Sequence, residues 1–368
     1  VGQLAGFNLW WAAFGFLLTG VGLPLLTVVA LAKVGGGMPA LTSPIGKAAG
    51  LILGIAVYLT IGPLFATPRT ATVSFEIGIV PFVGDSSLSL AIYSLIFFIA
   101  VMLISLYPGR LLDTVGKLIT PFLILGLIVL AMAAIFWPAG TVDTPQGLYL
   151  EQSFAQGFTQ GYQTMDALGA LVFGIVIVNA IKARNITDSK LVTRYAIWSG
   201  IIAAICLALV YLSLIWLGAS SGVLAPNATT GAPILNAFVN DAFGPLGNVI
   251  LAIVITLACL TTAIGLVSAC GMYFSSFLPF SYRTVVIVIS LLCMLVTNLG
   301  LEQLIRIAVP VLLTIYPIAI VLVLLSLARS LWNNASRIFV PTLAVATIFG
   351  LIDAARVIGF DNWITEKM

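Results

Sequence analysis

The sequence predicts an all-α polytopic membrane protein, and three observations carry that expectation. Apolar residues make up 61% of the 368 and charged ones only 7%, a balance too apolar for a water-soluble domain. The apolar residues gather into runs of about 20, the length that crosses a bilayer as a helix. Nothing between the runs is large enough to fold separately, and a lipid-exposed backbone must satisfy its own hydrogen bonds, so the runs form one helical bundle.

Ten spans follow: 10–32, 48–66, 88–107, 115–137, 165–181, 195–217, 247–273, 283–299, 304–328 and 339–357. The first opens on Trp10 and Trp11, rings suited to the headgroup level, and carries small residues that permit close helix approach. The second ends in YLTIGPLFATPRTATVSFE, where Pro63 and Pro68 each remove a backbone donor, so a bend or stop is expected there. Tyr58 precedes that bend and either lines a cavity or packs as a core ring. Arg69 and Glu76 follow it, as a candidate gate or an exposed structural pair worth little. The third and fourth spans hold no ionisable group in their interiors. In the loop 218–246, Ile234, Leu235, Phe238, Val239 and Phe243 share one helical face, so a short helix is expected, and Asn227 opens a sequon. Pro310 and Pro317 should kink the ninth span beside Tyr316, and Asp353 and Arg356 should reach the interface at the end of the tenth.

Orientation comes from the basic residues. Lys33, Lys47, Arg110, Lys117, Lys182, Arg184, Lys190, Arg194, Arg283, Arg329 and Arg337 fall on one side; Arg69, Arg306, Arg356 and Lys367 fall on the other. The first side is therefore expected to be cytoplasmic. Both Val1 and Met368 would then lie outside, which suggests a further span before the first residue and another beyond the last.

Several chemistries are disfavoured. There is no histidine, so imidazole proton relays and the commonest metal ligand are missing. Cys206, Cys259, Cys270 and Cys293 fall in spans without CxxC spacing, which argues against disulfides or zinc. The net charge of +3 comes from basic residues spread singly through loops, a topology signal and not a nucleic-acid footprint.

One stretch stands apart. Residues 157–179, GFTQGYQTMDALGALVFGIVIVN, begin too polar and too glycine-rich for a lipid-facing helix and then become one. Asp166 is the one carboxylate well inside an apolar span, and a charge at that depth usually faces a polar cavity. Helices interrupted near the bilayer midplane let secondary transporters offer bare backbone groups to substrate or ion. Elsewhere, Thr261 and Thr262 sit side by side within ACLTTAIGLVSACG. They either contribute to an ion site or bond carbonyls one turn earlier.

Four blocks, YLTIGPLFATPRTATVSFEIGI, GRLLDTVGKLITPF, GYQTMDALGALVFGIVIVNAI and TNLGLEQLIRIAVPVLLTIYP, occur in the order and spacing of one family. The chain resembles the bacterial branched-chain amino acid:cation symporters (BrnQ-like) over essentially its whole length. That resemblance implies the LeuT-type fold, two inverted five-helix repeats with discontinuous helices, in a single transport domain over 1–368. On it, 1–137 is the remainder of the first repeat, 157–328 the second, and 339–357 an additional span, with the broken first helix and the last one outside the chain. It implies Na⁺ held by the Ala258 carbonyl and the Thr261 and Thr262 hydroxyls, with Ala263 standing where the pattern LTSS has serine.

The broken helix at 157–180 would offer carbonyls around Thr164 and Met165 to a substrate ammonium. Ala167, Gly169 and Ala170 would leave room for an aliphatic side chain, Tyr58, Tyr162 and Leu266 would line the pocket, and Asp166 would help neutralise the ammonium or act as a structural hinge. The implied function is Na⁺-coupled import of leucine, isoleucine and valine across a bacterial inner membrane. Proton coupling, possibly through Asp166, is the alternative within transport. A membrane-embedded enzyme would want clustered His, Asp or Cys, and a transport-inactive sensor would want a signalling domain.

Overall fold

Each of the ten predicted spans is a helix. The computed structural model describes residues 1–107, 110–182, 184–226, 228 and 230–360. The Asn227 sequon, Lys367 and Met368 lie outside the described residues. The helices are α1 (Gly2–Val34), α2 (Lys47–Leu59), α3 (Ala66–Gly78), α4 (Ser87–Ser105), α5 (Arg110–Phe136), α6 (Ser153–Tyr162), α7 (Asp166–Lys182), α8 (Ser189–Ser220), α9 (Gly231–Ser275), α10 (Tyr282–Thr297), α11 (Leu301–Leu327) and α12 (Ser336–Ala355). Among the described residues there is no strand. Seven of these segments, α2 and α3 counted together, are long and apolar enough to cross a membrane, and Thr120–Phe136 and Tyr282–Thr297 are shorter apolar helices. The protein is a multi-pass membrane protein.

Several segments depart from a plain rod for visible reasons. Within α1 the turn Leu18–Gly22 is a π-helix, a widening common at functional positions. Between α2 and α3 the π-turn Thr60–Leu64 leaves helical dihedrals at Gly62, and Phe65 is non-helical too, so the expected interruption falls around Pro63. Pro68 sits in the first turn of α3, where a missing donor costs little. The short helix expected over 231–243 forms and runs into the following span, bent at Gly244, whose φ of 65° suits glycine just before Pro245. Pro310 and Pro317, by contrast, both lie inside a helix that continues from Leu301 to Leu327.

The chain folds as two compact units. The first comprises Val1–Gly15, Ile61–Gly157 and Leu209–Ile305. Here α3 lies along α9, with α4, α5 and α10 packed on α9 as well. Its apolar core gathers Ile77, Leu130, Ala134, Leu217, Phe238 and Val239, to which Ile234 and Leu235 of the 231–243 segment add partly buried surface. Phe243, placed on the same face by the sequence, stays exposed. Polar side chains tie the helices together: Tyr282 Oη donates to the Ser105 carbonyl at 2.8 Å, Trp216 Nε1 to the Ala134 carbonyl at 3.0 Å, and Asn236 Nδ2 to the Glu76 carbonyl at 3.2 Å. In lipid such bonds hold helices together by about 1 kcal/mol each, because burial of apolar surface does not favour association there.

The second unit comprises Phe16–Thr60, Phe158–Ala208 and Arg306–Met368. Its centre is α7 packed against the second half of α1, with α2 also touching α7. Gly174 lets the Leu31 side chain press onto α7. Thr193 Oγ1 donates to the Ala32 carbonyl at 3.1 Å, and Lys33 Nζ to the Leu327 carbonyl at 2.8 Å, so the basic end of α1 closes the last turn of α11.

Close approach also governs α6 in the first unit. A Cβ built at Gly157 would lie 1.9 Å from the Ala12 carbonyl oxygen of α1, an overlap with backbone that no rotamer relieves. Gly157→Ala is expected to cost about 1–3 kcal/mol, read as a lower midpoint of thermal unfolding in detergent. An unchanged midpoint would show that α1 and α6 do not meet this closely.

Candidate transport site

The polar half of the 157–179 stretch folds as a helix that stops and restarts. α6 ends at Tyr162, and α7 begins at Asp166. The turn between them is tight: the Gln163 amide donates to the Gln160 carbonyl at 3.1 Å and the Met165 amide to the Tyr162 carbonyl at 3.1 Å. Thr164 Oγ1 donates to the Gly161 carbonyl at 2.8 Å. Met165 then adopts φ 64°, in the left-handed region, while its side chain is 5% exposed. For a residue with a Cβ this conformation costs on the order of 1–3 kcal/mol, and it persists only where surrounding packing imposes it.

The accounting of main-chain groups at the break is uneven. The Met165 carbonyl accepts from the Gly169 amide at 2.8 Å and so belongs to α7. Among the described residues no main-chain amide donates to the Thr164 carbonyl. Of the two carbonyls that the sequence offers to an ammonium, it is Thr164 that remains outside both helical ladders. Asp166 stands in the first turn of α7, where the helix dipole favours a negative charge.

Two features hold the break, and neither is legible in the sequence. Thr19, fully buried in the π-turn of α1, donates from Oγ1 to the Phe158 carbonyl at 2.8 Å. A Cβ at Gly161 would fall 1.9 Å from that same Oγ1, so glycine is what allows α6 to reach it. On the other side, the Tyr316 ring of α11 lies 5.0 Å from the Tyr162 ring, and Phe158 sits edge-on to Tyr162 at 5.1 Å. Tyr316 is fully buried, with its hydroxyl toward Asp166 and the Ala167 and Leu168 amides, yet no partner meets it in normal hydrogen-bond geometry. Its position beside a proline signalled a bend; its approach to a helix some 150 residues earlier had no local sign.

The remaining residues of this unit that the sequence offers to a substrate group around α7. Ala167 is buried, Gly169 and Ala170 are half-buried, and a Cβ at Gly169 would meet nothing within 4 Å, so open space lies beside that position. Tyr58 is 5% exposed on α2, the helix that touches α7. Tyr162 and Thr164 are half-buried.

The residues that the sequence offers to a cation fall in the other unit. On α9, Thr261 Oγ1 and Thr262 Oγ1 both donate to the Ala258 carbonyl, each at 2.9 Å. Three oxygens thus converge on one turn of helix, with both hydroxyl protons directed at the carbonyl and the hydroxyl lone pairs outward. Thr261 is half-buried and Thr262 exposed, while Leu266, one turn on, is 3% exposed. Cys270 and Cys293 are buried free thiols, Cys259 is a half-buried one and Cys206 an exposed one. Arg69 and Glu76 are both half-buried on α3, seven residues and therefore about 10 Å apart along the axis.

Comparison with known proteins now places the chain. The model of the family described as branched-chain amino acid transport protein matches residues 1–368. The chain belongs to this branched-chain amino acid transport family. Its relatives include the branched-chain amino acid transport system 2 carrier protein of Pseudomonas aeruginosa, 57% identical over 99% of this chain and 84% of that one. The branched-chain amino acid permease BrnQ of Escherichia coli strain K12 is 53% identical over 98% and 82%. The permease BraB of Bacillus subtilis strain 168 is 42% identical over 98% and 82%.

Among solved structures, MhsT in complex with L-phenylalanine is similar with a TM-score of 0.64, over 97% of this chain and 92% of that one, at 14% identity. That likeness establishes the LeuT-type fold. The member of the transport family described here is accordingly a transporter and not an enzyme.

The two props of the break predict opposite outcomes. Thr19→Val keeps the shape but removes the donor to the Phe158 carbonyl, and is expected to cost about 1 kcal/mol. Tyr316→Phe removes a buried hydroxyl that meets no partner well, and is expected to leave stability unchanged or slightly higher. Thermal unfolding of the two purified variants checks both, and a destabilised Tyr316→Phe protein would mean that the hydroxyl is firmly bonded to α7.

Proposed function

We propose that the protein is a secondary active symporter that imports leucine, isoleucine and valine, coupled to Na⁺, across a bacterial inner membrane by alternating access. In this reading 1–368 is one transport domain, with 1–137 and 157–328 contributed by the two inverted repeats. The observation that carries the proposal is the interruption at 163–165 in a family whose relatives are named as branched-chain amino acid carriers. A zwitterion with an aliphatic side chain needs an acceptor for its ammonium and an apolar space beside it. The Thr164 carbonyl and the Asp166 carboxylate provide the first; the open space at Gly169, flanked by Ala167 and Ala170, provides the second. Tyr58, Tyr162 and Met165 are assigned to the walls of the same pocket.

Na⁺ is assigned to the Ala258 carbonyl with the Thr261 and Thr262 hydroxyls, since a hard cation takes oxygen ligands. Binding would rotate the two hydroxyl protons away from the carbonyl, and the loss of both internal bonds keeps the ion only moderately held. A coupling ion must also leave, so moderate affinity suits it. Coupling follows if the ion stabilises the substrate-competent arrangement in preference to the empty one. Arg69 and Glu76 are assigned to a gate on the outer side.

Proton coupling is the second reading, favoured by the Asp166 carboxylate lying inside the membrane next to the Tyr316 hydroxyl. Vesicles given a Na⁺ gradient without a pH gradient separate the two, and no response of leucine uptake to Na⁺ would remove the first. Under Na⁺ coupling, Thr262→Ala is expected to raise the Na⁺ concentration for half-maximal uptake roughly tenfold, the effect of losing about 1.4 kcal/mol of ion binding. Gly169→Val is expected to cut leucine uptake sharply without lowering the unfolding midpoint, because a side chain there meets open space. Uptake unaffected by added bulk at Gly169 would move the substrate pocket elsewhere.

A further inference from the structure

Tyr316 delivers a phenol oxygen from α11 to the start of α7. The side chain is fully buried, and its ring lies 5.0 Å from that of Tyr162 at an interplanar angle of 31°, so packing holds the ring in place. The hydroxyl is directed at Asp166 and at the Ala167 and Leu168 amides, yet among the described residues no partner meets it in normal hydrogen-bond geometry. Phenylalanine would fill the same space without burying a polar atom that is poorly bonded. The oxygen therefore calls for a reason other than packing.

The groups around it supply one. α7, 17 residues long, begins at Asp166 behind Met165, whose thioether side chain offers no capping oxygen. The first amides of a helix have no partner within it, and those of Ala167 and Leu168 are among them, so the phenol oxygen stands where a capping side chain would accept. A hydroxyl that accepts through its oxygen still has a proton to give, and an ionised carboxylate only accepts. Asp166 is the carboxylate beside it.

α11 is built to adjust at this point. Pro317 directly follows Tyr316 and has no amide for the Leu313 carbonyl, and Pro310 lies less than two turns earlier, so the helix continues with a thinned ladder around Tyr316. A small movement of that turn closes the hydroxyl onto α7.

We propose that Tyr316 is a positioning residue for the substrate: in the substrate-binding arrangement its hydroxyl oxygen caps the α7 amides and its proton goes to the Asp166 carboxylate, fixing that group beside the Thr164 carbonyl. This rests on the reading of 163–165 as the ammonium site. Tyr316 itself does not touch the substrate. A carboxylate already held in one orientation loses less freedom when the ammonium arrives, so Tyr316 tightens binding and leaves the later steps of transport alone.

The test measures leucine uptake against leucine concentration in vesicles carrying the unaltered chain, Tyr316→Phe, Asp166→Asn or the double variant, with the unfolding midpoints of the purified proteins read with and without leucine. Tyr316→Phe is expected to raise the leucine concentration for half-maximal uptake roughly tenfold, the scale of one hydrogen bond to a charged group, with the maximal rate and the leucine-free midpoint retained. A ring that merely packs would move neither kinetic constant, since phenylalanine keeps the ring. In the Asp166→Asn background the same substitution is expected to add nothing further, because the two residues act as one unit. Stabilisation by leucine reads binding in any variant whose uptake is too slow to follow. Half-saturation unchanged in Tyr316→Phe, a full tenfold loss added to that of Asp166→Asn, or a lowered leucine-free midpoint would each overturn the positioning role and leave the ammonium site standing. Uptake by Asp166→Asn equal to that of the unaltered chain would instead remove Asp166 from the ammonium site, and the positioning role with it.

Discussion

A main-chain amide or carbonyl that faces hydrocarbon without a partner costs several kcal/mol, and this structure is arranged around where that rule is relaxed. Two of the helix interruptions among the described residues are treated differently. At 60–65 the loosened carbonyls are met by side-chain donors: Thr67 Oγ1 reaches the Ile61 carbonyl at 3.1 Å, and Cys293 Sγ lies 4.0 Å from the Gly62 carbonyl. At 163–165, among the described residues, no main-chain amide donates to the Thr164 carbonyl. An interruption that the protein closes with its own side chains serves shape, and one that it leaves incomplete is suited to receive a ligand.

Keeping such a break in place requires constraint from outside it. The left-handed Met165 is an unfavourable conformation, and its buried side chain shows that packing surrounds it. Glycine at 161 brings α6 against the buried Thr19 hydroxyl, and the tilted ring pair Tyr162 and Tyr316 packs on the adjacent face. Small residues on one face and aromatic ones on the next leave α6 little freedom to slide or turn. The π-turn in α1 completes this arrangement, because the widened turn carries the Thr19 hydroxyl that reaches the Phe158 carbonyl.

Much of this was legible in the chain itself, for a physical reason. Membrane spans announce themselves by length and apolarity, and a polar, glycine-rich opening such as GFTQGYQTMD breaks that pattern conspicuously. A break within 157–179 and the bend around Pro63 were therefore readable, as were Ile234, Leu235, Phe238 and Val239 on one face; the residues at which the first helix stops came only with the family resemblance. What escaped was the pairing of distant residues. Thr19 and Tyr316 look like ordinary members of apolar helices, and only folding brings one to the Phe158 carbonyl and the other to the start of α7. Proline was also an uncertain guide: Pro63 accompanies a true interruption, whereas Pro310 and Pro317 leave α11 continuous, since the neighbouring main chain can absorb a lost donor without unwinding. The paired threonines show the same limit, because sequence allowed either an outward hydroxyl or a bonded one, and both turn back to the Ala258 carbonyl.

Asp166 brings these strands together. A carboxylate at the first turn of α7 gains from the helix dipole whether or not a substrate is present. The same position places it one residue from the Met165 distortion and two from the Thr164 carbonyl, so a group that stabilises the restart of the helix also lends negative potential to the gap before it. A cation entering that gap would meet a carbonyl dipole and a carboxylate already held in place, with little reorganisation needed at the moment of binding. A hinge role and the proposed ammonium-binding role for Asp166 are therefore compatible, since the helix dipole acts along α7 and leaves the carboxylate's field to act across the break.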